Sequence, residues 1–279
     1  MELFKFQRVL AGWVIGLAVW LAAASALATG AAEPKAAEAQ ALYQQAKDLL
    51  HERLDEAALR EAIGMLEKAS QLDPKSEAIW IEIAWRYWMV GDALPKKTGA
   101  QKEVRLKLFE KGMAAGGKAK AINPRSVGGL YWYTVNMASA GEMRGVLSSL
   151  SMGGTLFGNM SRVDRRDPYF LYGATRRFGS ELFVRIPGFL TRQFGFTPEY
   201  TIEDLQANIE RWPNYFDNYN FLARVYWWAE DKENALQQLE YVLGHDPAAM
   251  PEEQAENRRQ QDFARQMWKE WTGKEYPAK

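Results

Sequence analysis

Residues 216–249 read FDNYNFLARVYWWAEDKENALQQLEYVLGHDPAA, and this stretch decides the fold. Tyr219, Leu222, Ala223 and Tyr226 recur at three- and four-residue spacing, the period of one helix face. After Glu230-Asp231 a second run carries Ala235, Leu239 and Val242, and Pro247 stops it. Two short amphipathic helices joined by a tight turn make a helical hairpin. Small residues at Ala223 and Ala235 let the two helices approach closely, and the larger residues fill the groove toward the next hairpin.

The same second-helix signature recurs along the chain. It appears as Ala62, Leu66, Ala69 and Pro74, then in degenerate form as Leu156, Met160, Val163 and Pro168, and as Thr201, Leu205, Asn208 and Pro213. Trp80, Ile83, Ala84 and Tyr87 repeat the first-helix signature, with Gly91 expected at the turn. This is the tetratricopeptide pattern, so the fold class expected is all-α: a stack of four or five hairpins, an α-solenoid, over residues 36–271. No long alternating run suggests a sheet. The tail Glu252–Trp271, with Phe263, Met267 and Trp271 in a stripe, reads as a closing helix after Pro251.

The middle departs from the plain unit. Asp92 to Gly99 reads as a long turn, with Phe109 and Gly112 opening an extended helix that runs to Ala121. Phe183 to Pro198 reads as an irregular loop. The pairs Gly116-Gly117, Gly128-Gly129 and Gly153-Gly154 read as helix breaks, since none lies in a phosphate-binding motif.

The N-terminus has a different character. Lys5 and Arg8 precede an apolar run from Val9 to Ala28 that ends in two A-x-A sites. Residues 1–30 are read as a cleaved signal peptide, with an uncleaved membrane anchor through residues 9–28 as the alternative. Either reading places the body in the periplasm, outside the cytoplasm.

Composition narrows the chemistry. The 279 residues include no cysteine, which excludes disulfides, thiolate nucleophiles and Cys-ligated metals. Lys+Arg and Asp+Glu both number 35, and that balance argues against a nucleic-acid binder. The two histidines, His51 and His245, stand apart near predicted helix ends, where the helix dipole favours them. No G-x-S-x-G occurs, and Ser148, Ser149 and Ser151 have no histidine nearby in sequence. The expectation is a non-enzyme with no cofactor and no metal. Glu230-Asp231 and Glu252-Glu253 read as solvated turn or helix-face residues.

Candidate binding residues come from the first helices, which line the concave side of such a stack. They are Glu82, Trp85 and Trp88; Tyr131, Trp132 and Asn136; and Asn220, Arg224, Trp227 and Trp228, with Asp217 nearby. Aromatic walls with a few polar groups suit capture of a peptide or small ligand. Trp227 and Trp228 point about 100° apart, so one packs inward while the other faces outward. Arg176 belongs to a basic group with Arg162, Arg165, Arg166 and Arg177 around Asp164 and Asp167, read first as an internal ion-pair network and second as a receiver of an anionic partner.

Three segments outside the generic repeat resemble the T-component (TatT-like) proteins of TRAP transporters. They are Leu130-Tyr131-Trp132-Tyr133-Thr134-Val135-Asn136; Asp167-Pro168-Tyr169-Phe170 with Gly173-Ala174, Arg176 and Gly179; and Pro213-Asn214-Tyr215 with Asn218, Leu222-Ala223 and Tyr226. Gly173-Ala174 stands where that family has Gly-Gly, and no cysteine follows the signal to carry a lipid. The resemblance implies a curved helical periplasmic protein that forms a homo-oligomer around apolar pores. It also implies association with a periplasmic solute receptor for a small organic ligand. The alternative is a general envelope scaffold that binds peptide segments of an envelope protein.

Overall fold

The structure is a computed structural model and describes residues 34–185 and 197–277. The expected signal or anchor at residues 1–30, and residues 186–196 of the expected loop, lie outside the described residues.

Helices follow one another without a strand among the described residues. They are α1 (34–52), α2 (Glu56–Leu72), α3 (Glu77–Ala93), α4 (Gly99–Ile122), α5 (Val127–Arg144), α6 (Val146–Arg166), α7 (Ala174–Arg185), α8 (Pro198–Arg211), α9 (Phe216–Trp228), α10 (Lys232–Gly244) and α11 (Gln254–Thr272). Among the described residues, paired in order, they make five hairpins and a closing helix. The first helices α3, α5, α7 and α9 pack on their partners α4, α6, α8 and α10 and, in the pairs α3 with α5, α7 with α9 and α9 with α11, on the next first helix. That contact pattern makes the stack an α-solenoid.

The turns between hairpins share one construction. Asp73, Asn123, Asp167 and Trp212 each precede proline and cap a second helix. Their N–H groups donate to the carbonyls of Ala69, Ala119, Val163 and Asn208 at 2.8–2.9 Å. Proline then ends the helix. The Asp73, Asn123 and Asp167 side chains accept from the N–H two residues on, at 3.0–3.1 Å, making an Asx turn. First-helix aromatics close the joint: Trp80 Nε1 donates to the Pro74 carbonyl at 3.0 Å, and Tyr219 Oη to that of Pro213 at 2.9 Å. At the other end of the hairpins, side chains cap second helices. Asp55 Oδ1 accepts from Ala58 N at 3.0 Å, and the Arg53 hydrogen bond with this cap holds its carboxyl down at about 2. Thr98 and Gln101 form a reciprocal capping box.

Several details differ from the sequence reading. The α4 helix starts at Gly99, well before Phe109, because the capping box nucleates it there; the α3–α4 connection shrinks to residues 94–98. Gly91 lies inside α3, packed on the Phe109 ring. Phe183 to Arg185 belong to α7, and Pro198 opens α8 behind the Thr197 cap. The glycine pairs do not break helices: all three lie within α4, α5 and α6. At Gly116 the reason is close approach, since a Cβ there would lie 2.8 Å from the Tyr133 backbone nitrogen.

The core divides in sequence order. A large cluster runs from α1 through α5, with Leu66, Ile79, Ile83, Met89 and Val90 fully buried, and reaches Met160, Val163 and Ala174. Smaller clusters around Phe183, Leu205 and Leu222 and around Phe216, Leu239 and Val242 serve the last hairpins. Residues 167–173 join the two parts. Leu171 and Tyr172 have φ of 44° and 58°, held there because Arg177 donates to both carbonyls at 2.6 and 2.7 Å.

Candidate functional site

The expected residues differ in how open they are and in what they pack against. Tyr131, Trp132 and Asn136 are buried, at 8%, 4% and 0% exposure. Trp132 stacks on Trp85 at 5.2 Å, meets Trp88 at 5.4 Å and takes the Tyr131 edge at 4.9 Å; Tyr131 then packs on Phe170. Asn136 Nδ2 donates to the carbonyls of Ala84 and Trp132. These three side chains lock α5 between α3 and the 167–173 turn and do not form an open wall. Packing decided this, because Trp85 and Trp88 of α3 and Phe170 of the turn cover these positions of α5.

Glu82 is also buried and accepts from Arg86 at 2.6 and 3.0 Å, while the Arg86 guanidinium lies 3.7 Å over the Trp85 ring. Asn220 is buried and donates to Gln260 O and Oε1. Trp227 stacks on Trp271 at 4.5 Å and 5°, which binds the closing helix α11 to α9. Trp228 faces outward, 37% exposed, with its ring against Phe183. Trp85 and Trp88 are half-buried, and Trp88 Nε1 donates to Ser139 Oγ. Arg176 donates to Asn208 Oδ1 at 2.8 Å and lies 3.6 Å from Asp204.

The sequence reading missed an ionic strip. Lys96 lies 2.8 Å from Glu142; Glu142 pairs with Arg185, Arg185 with Glu181, and Glu181 with Arg224 at 2.5 Å. It runs from the α3–α4 connection across α5 and α7 to α9, ending beside Trp228. Burial pushes the Glu181 carboxyl up, but Arg224 and Arg185 outweigh burial and hold it below the usual range. Glu142 follows the same balance, with Arg185 and Lys96. The signal in the sequence was the four-residue spacing of Glu181 and Arg185 on one helix face.

A second, deeper set surrounds Arg177, which lies 2.9 Å from Asp217 and donates to Asn218 Oδ1. Burial raises the Asp217 carboxyl to about 6 against the pull of Arg177. On α11, Glu256 pairs with Arg259 at 2.5 Å. Glu253 accepts from Tyr172 Oη at 3.0 Å, and burial raises it to about 7. The charge of Arg86 on α3 pulls both the Glu253 and the Glu256 carboxyl down. Glu253 is therefore not the solvated turn residue expected. The Arg162–Arg177 group divides: Arg177 is internal, while Arg162, Arg165 and Arg166 are exposed.

His245 caps α10, with Nδ1 2.7 Å from the Tyr241 carbonyl and its ring on Tyr241. Among the described residues no group of three or more histidines or carboxylates is placed to hold a metal ion. A cleft of about 230 Å³ lies between the α8–α9 turn and Ala249–Glu252, lined by Arg211, Trp212 and Met250.

These features define an all-α helical repeat protein of tetratricopeptide type. No family model matches the chain, and no curated protein matches it. Among solved structures, TTC0263, a thermophilic tetratricopeptide-repeat protein of Thermus thermophilus, is similar over 81% of this chain and 98% of its own. The TM-score is 0.57 and the identity 13%, a likeness of fold. YrrB, a tetratricopeptide-repeat protein described as having an unusual peptide-binding site, covers 71% of this chain and 83% of its own at TM-score 0.36 and 14% identity.

Proposed function

We propose that this chain is a non-enzymatic scaffold that docks a protein partner on the inner side of its helical stack. One observation carries the reading: the strip Lys96–Glu142–Arg185–Glu181–Arg224, partly exposed and ending at the outward Trp228. A rigid row of paired charges beside an exposed tryptophan suits a protein surface. Charges set partner and register, while an aromatic anchor supplies area. The burial of Tyr131, Trp132 and Asn136 favours a protein partner over a small ligand held between aromatic walls.

The resemblance of residues 130–136, 167–179 and 213–226 to the TatT-like proteins supports a finer reading. The partner is a periplasmic solute receptor, and the chain is an exported accessory of solute transport. The test is to tag the chain with its own N-terminus, crosslink in intact cells and identify the captured proteins by mass spectrometry. A solute receptor among them supports the transport reading. Envelope assembly proteins alone replace it with a general scaffold, and no specific protein removes the docking reading.

A further inference from the structure

Arg185 and Arg224, toward the ends of first helices, have carboxylate partners in Glu142 and Glu181. One edge of the stack is different. The second helices end there, and the Asx-proline turns lead into the next first helices. Lys118 and Lys120 lie in the last turns of α4, and Arg125 in the turn that follows. Arg162, Arg165 and Arg166 end α6, and Arg211 ends α8. Among the described residues none of these cations has a carboxylate within ion-pair distance. Lys118 and Lys120 lie over the rings of Trp80 and Tyr133, and Arg211 lies 3.8 Å over Tyr169. Arg165 donates to Ser161, and Arg162 to Gly158 O and Asn159. Four carboxylates of this edge are engaged elsewhere, Asp73 and Asp167 in their turns, Glu77 by Asn123 and Asp164 by Thr175, while Glu210 stands exposed next to Arg211 in sequence. A helix C-terminus favours a cation, but it does not account for cations crowding one another. Burial and the charge of Arg162 both lower the Lys120 pKa.

Two exposed apolar side chains stand among these charges: Ile122 at 38% and Tyr169 at 48% exposure. The chain also enters the fold at this edge. The α1–α2 hairpin is antiparallel through residues 53–55, so the start of α1 at residue 34 lies beside the end of α2. The apolar run Val9–Ala28 is of membrane-spanning length. Residues 29–33 reach about 20 Å at most when extended.

We propose that this edge of the stack rests on an anionic phospholipid surface, with Lys120, Arg125, Arg162, Arg165 and Arg166 over the headgroups and Tyr169 at the interface. Basic residues are drawn to an anionic bilayer within about a Debye length, and tyrosine suits the headgroup layer. The arrangement rests on residues 9–28 remaining as a span, which fixes the edge close to the bilayer.

The test exploits the absence of cysteine. Ile122→Cys and Ala100→Cys each place one environment-sensitive fluorophore at opposite ends of α4, about 33 Å apart. The full chain is reconstituted in nanodiscs of phosphatidylcholine alone, or with about a third phosphatidylglycerol, carrying spin-labelled lipid. The expected result is quenching at residue 122 and not at residue 100, on anionic discs only. Raising salt to about 0.5 M, where the Debye length falls to a few ångströms, abolishes it. Arg165→Glu with Arg166→Glu reduces it to the neutral-lipid level with an unchanged melting temperature. Equal quenching at both ends, quenching independent of lipid charge, or none at residue 122 overturns the proposal. The intact mass of the chain extracted from membranes gives an independent arm: retained residues 1–30 support the tether, and a chain lacking them overturns it.

Discussion

Asn208 fits against Gly173 because Gly173 has no side chain: a Cβ there would lie 2.2 Å from Asn208 Oδ1. Asn208 stands where the repeat ordinarily has a small residue, and the glycine makes room for it. The amide then donates to the Gly173 carbonyl at 3.1 Å and accepts from Arg176 at 2.8 Å. Gly173 also has φ of 81°, a conformation that favours glycine. Gly173→Ala is expected to cost about 2–4 kcal/mol, combining overpacking with backbone strain. Adding Asn208→Ala recovers part of it by removing the clash. Denaturant unfolding of the two single variants and the double variant measures the coupling; strictly additive losses would contradict the fit.

The helical glycines divide by what faces them. Gly116→Ala meets the Tyr133 backbone and is expected to destabilise by about 1–3 kcal/mol. Gly154→Ala, with nothing within 4 Å, is expected to stabilise α6 by up to about 1 kcal/mol through helix propensity. Thermal melts of the two variants are expected to shift in opposite directions.

Arg177 is the buried cation between the two parts of the core. Arg177→Met removes the ion-pair partner of Asp217, leaving only the weaker pull of Arg259 and Arg224, and frees the carbonyls of Leu171 and Tyr172. The expected cost is about 3–5 kcal/mol, reduced when Asp217→Asn removes the stranded charge. Equilibrium unfolding checks both values.

Stability is expected to fall as pH rises between about 5 and 7. Burial raises Asp217 to about 6 and Glu253 to about 7, above the ordinary values of 3.8 and 4.5. In that window the folded chain holds more protons than the unfolded chain, so deprotonation favours unfolding. Glu142, Glu181 and Glu256, held low by their arginines, contribute in the opposite sense: their stabilisation is present above their ordinary value and is lost below it. Tyr172, Arg86, Glu252 and Glu256 surround Glu253. Melting temperatures at pH 5.5 and 7.5 measure the slope, and Glu253→Gln is expected to flatten it.

The stack was legible because its rules are local. The spacing of Tyr219, Leu222, Ala223 and Tyr226 depends only on helix geometry, and each Asp-Pro or Asn-Pro turn on neighbouring backbone groups. Burial of Trp132 was not legible. It depends on Trp85 and Trp88 of another helix closing over the ring, which the spacing within α5 does not show. The glycines misread as breaks show the same limit, since Gly116 answers to Tyr133 on another helix. The ionic strip joins four segments far apart in sequence, and only the Glu181–Arg185 spacing hinted at it.

The docking account is tested most directly at Trp228. Partner capture in intact cells and the melting temperature are measured for Trp228→Ala and Trp132→Ala. Trp132→Ala is expected to lose about 3–5 kcal/mol of stability as a buried aromatic. Trp228→Ala is expected to lose partner capture at least about tenfold while its melting temperature stays within a few degrees of the parent. Full capture by Trp228→Ala at unchanged stability would contradict docking on this side of the stack.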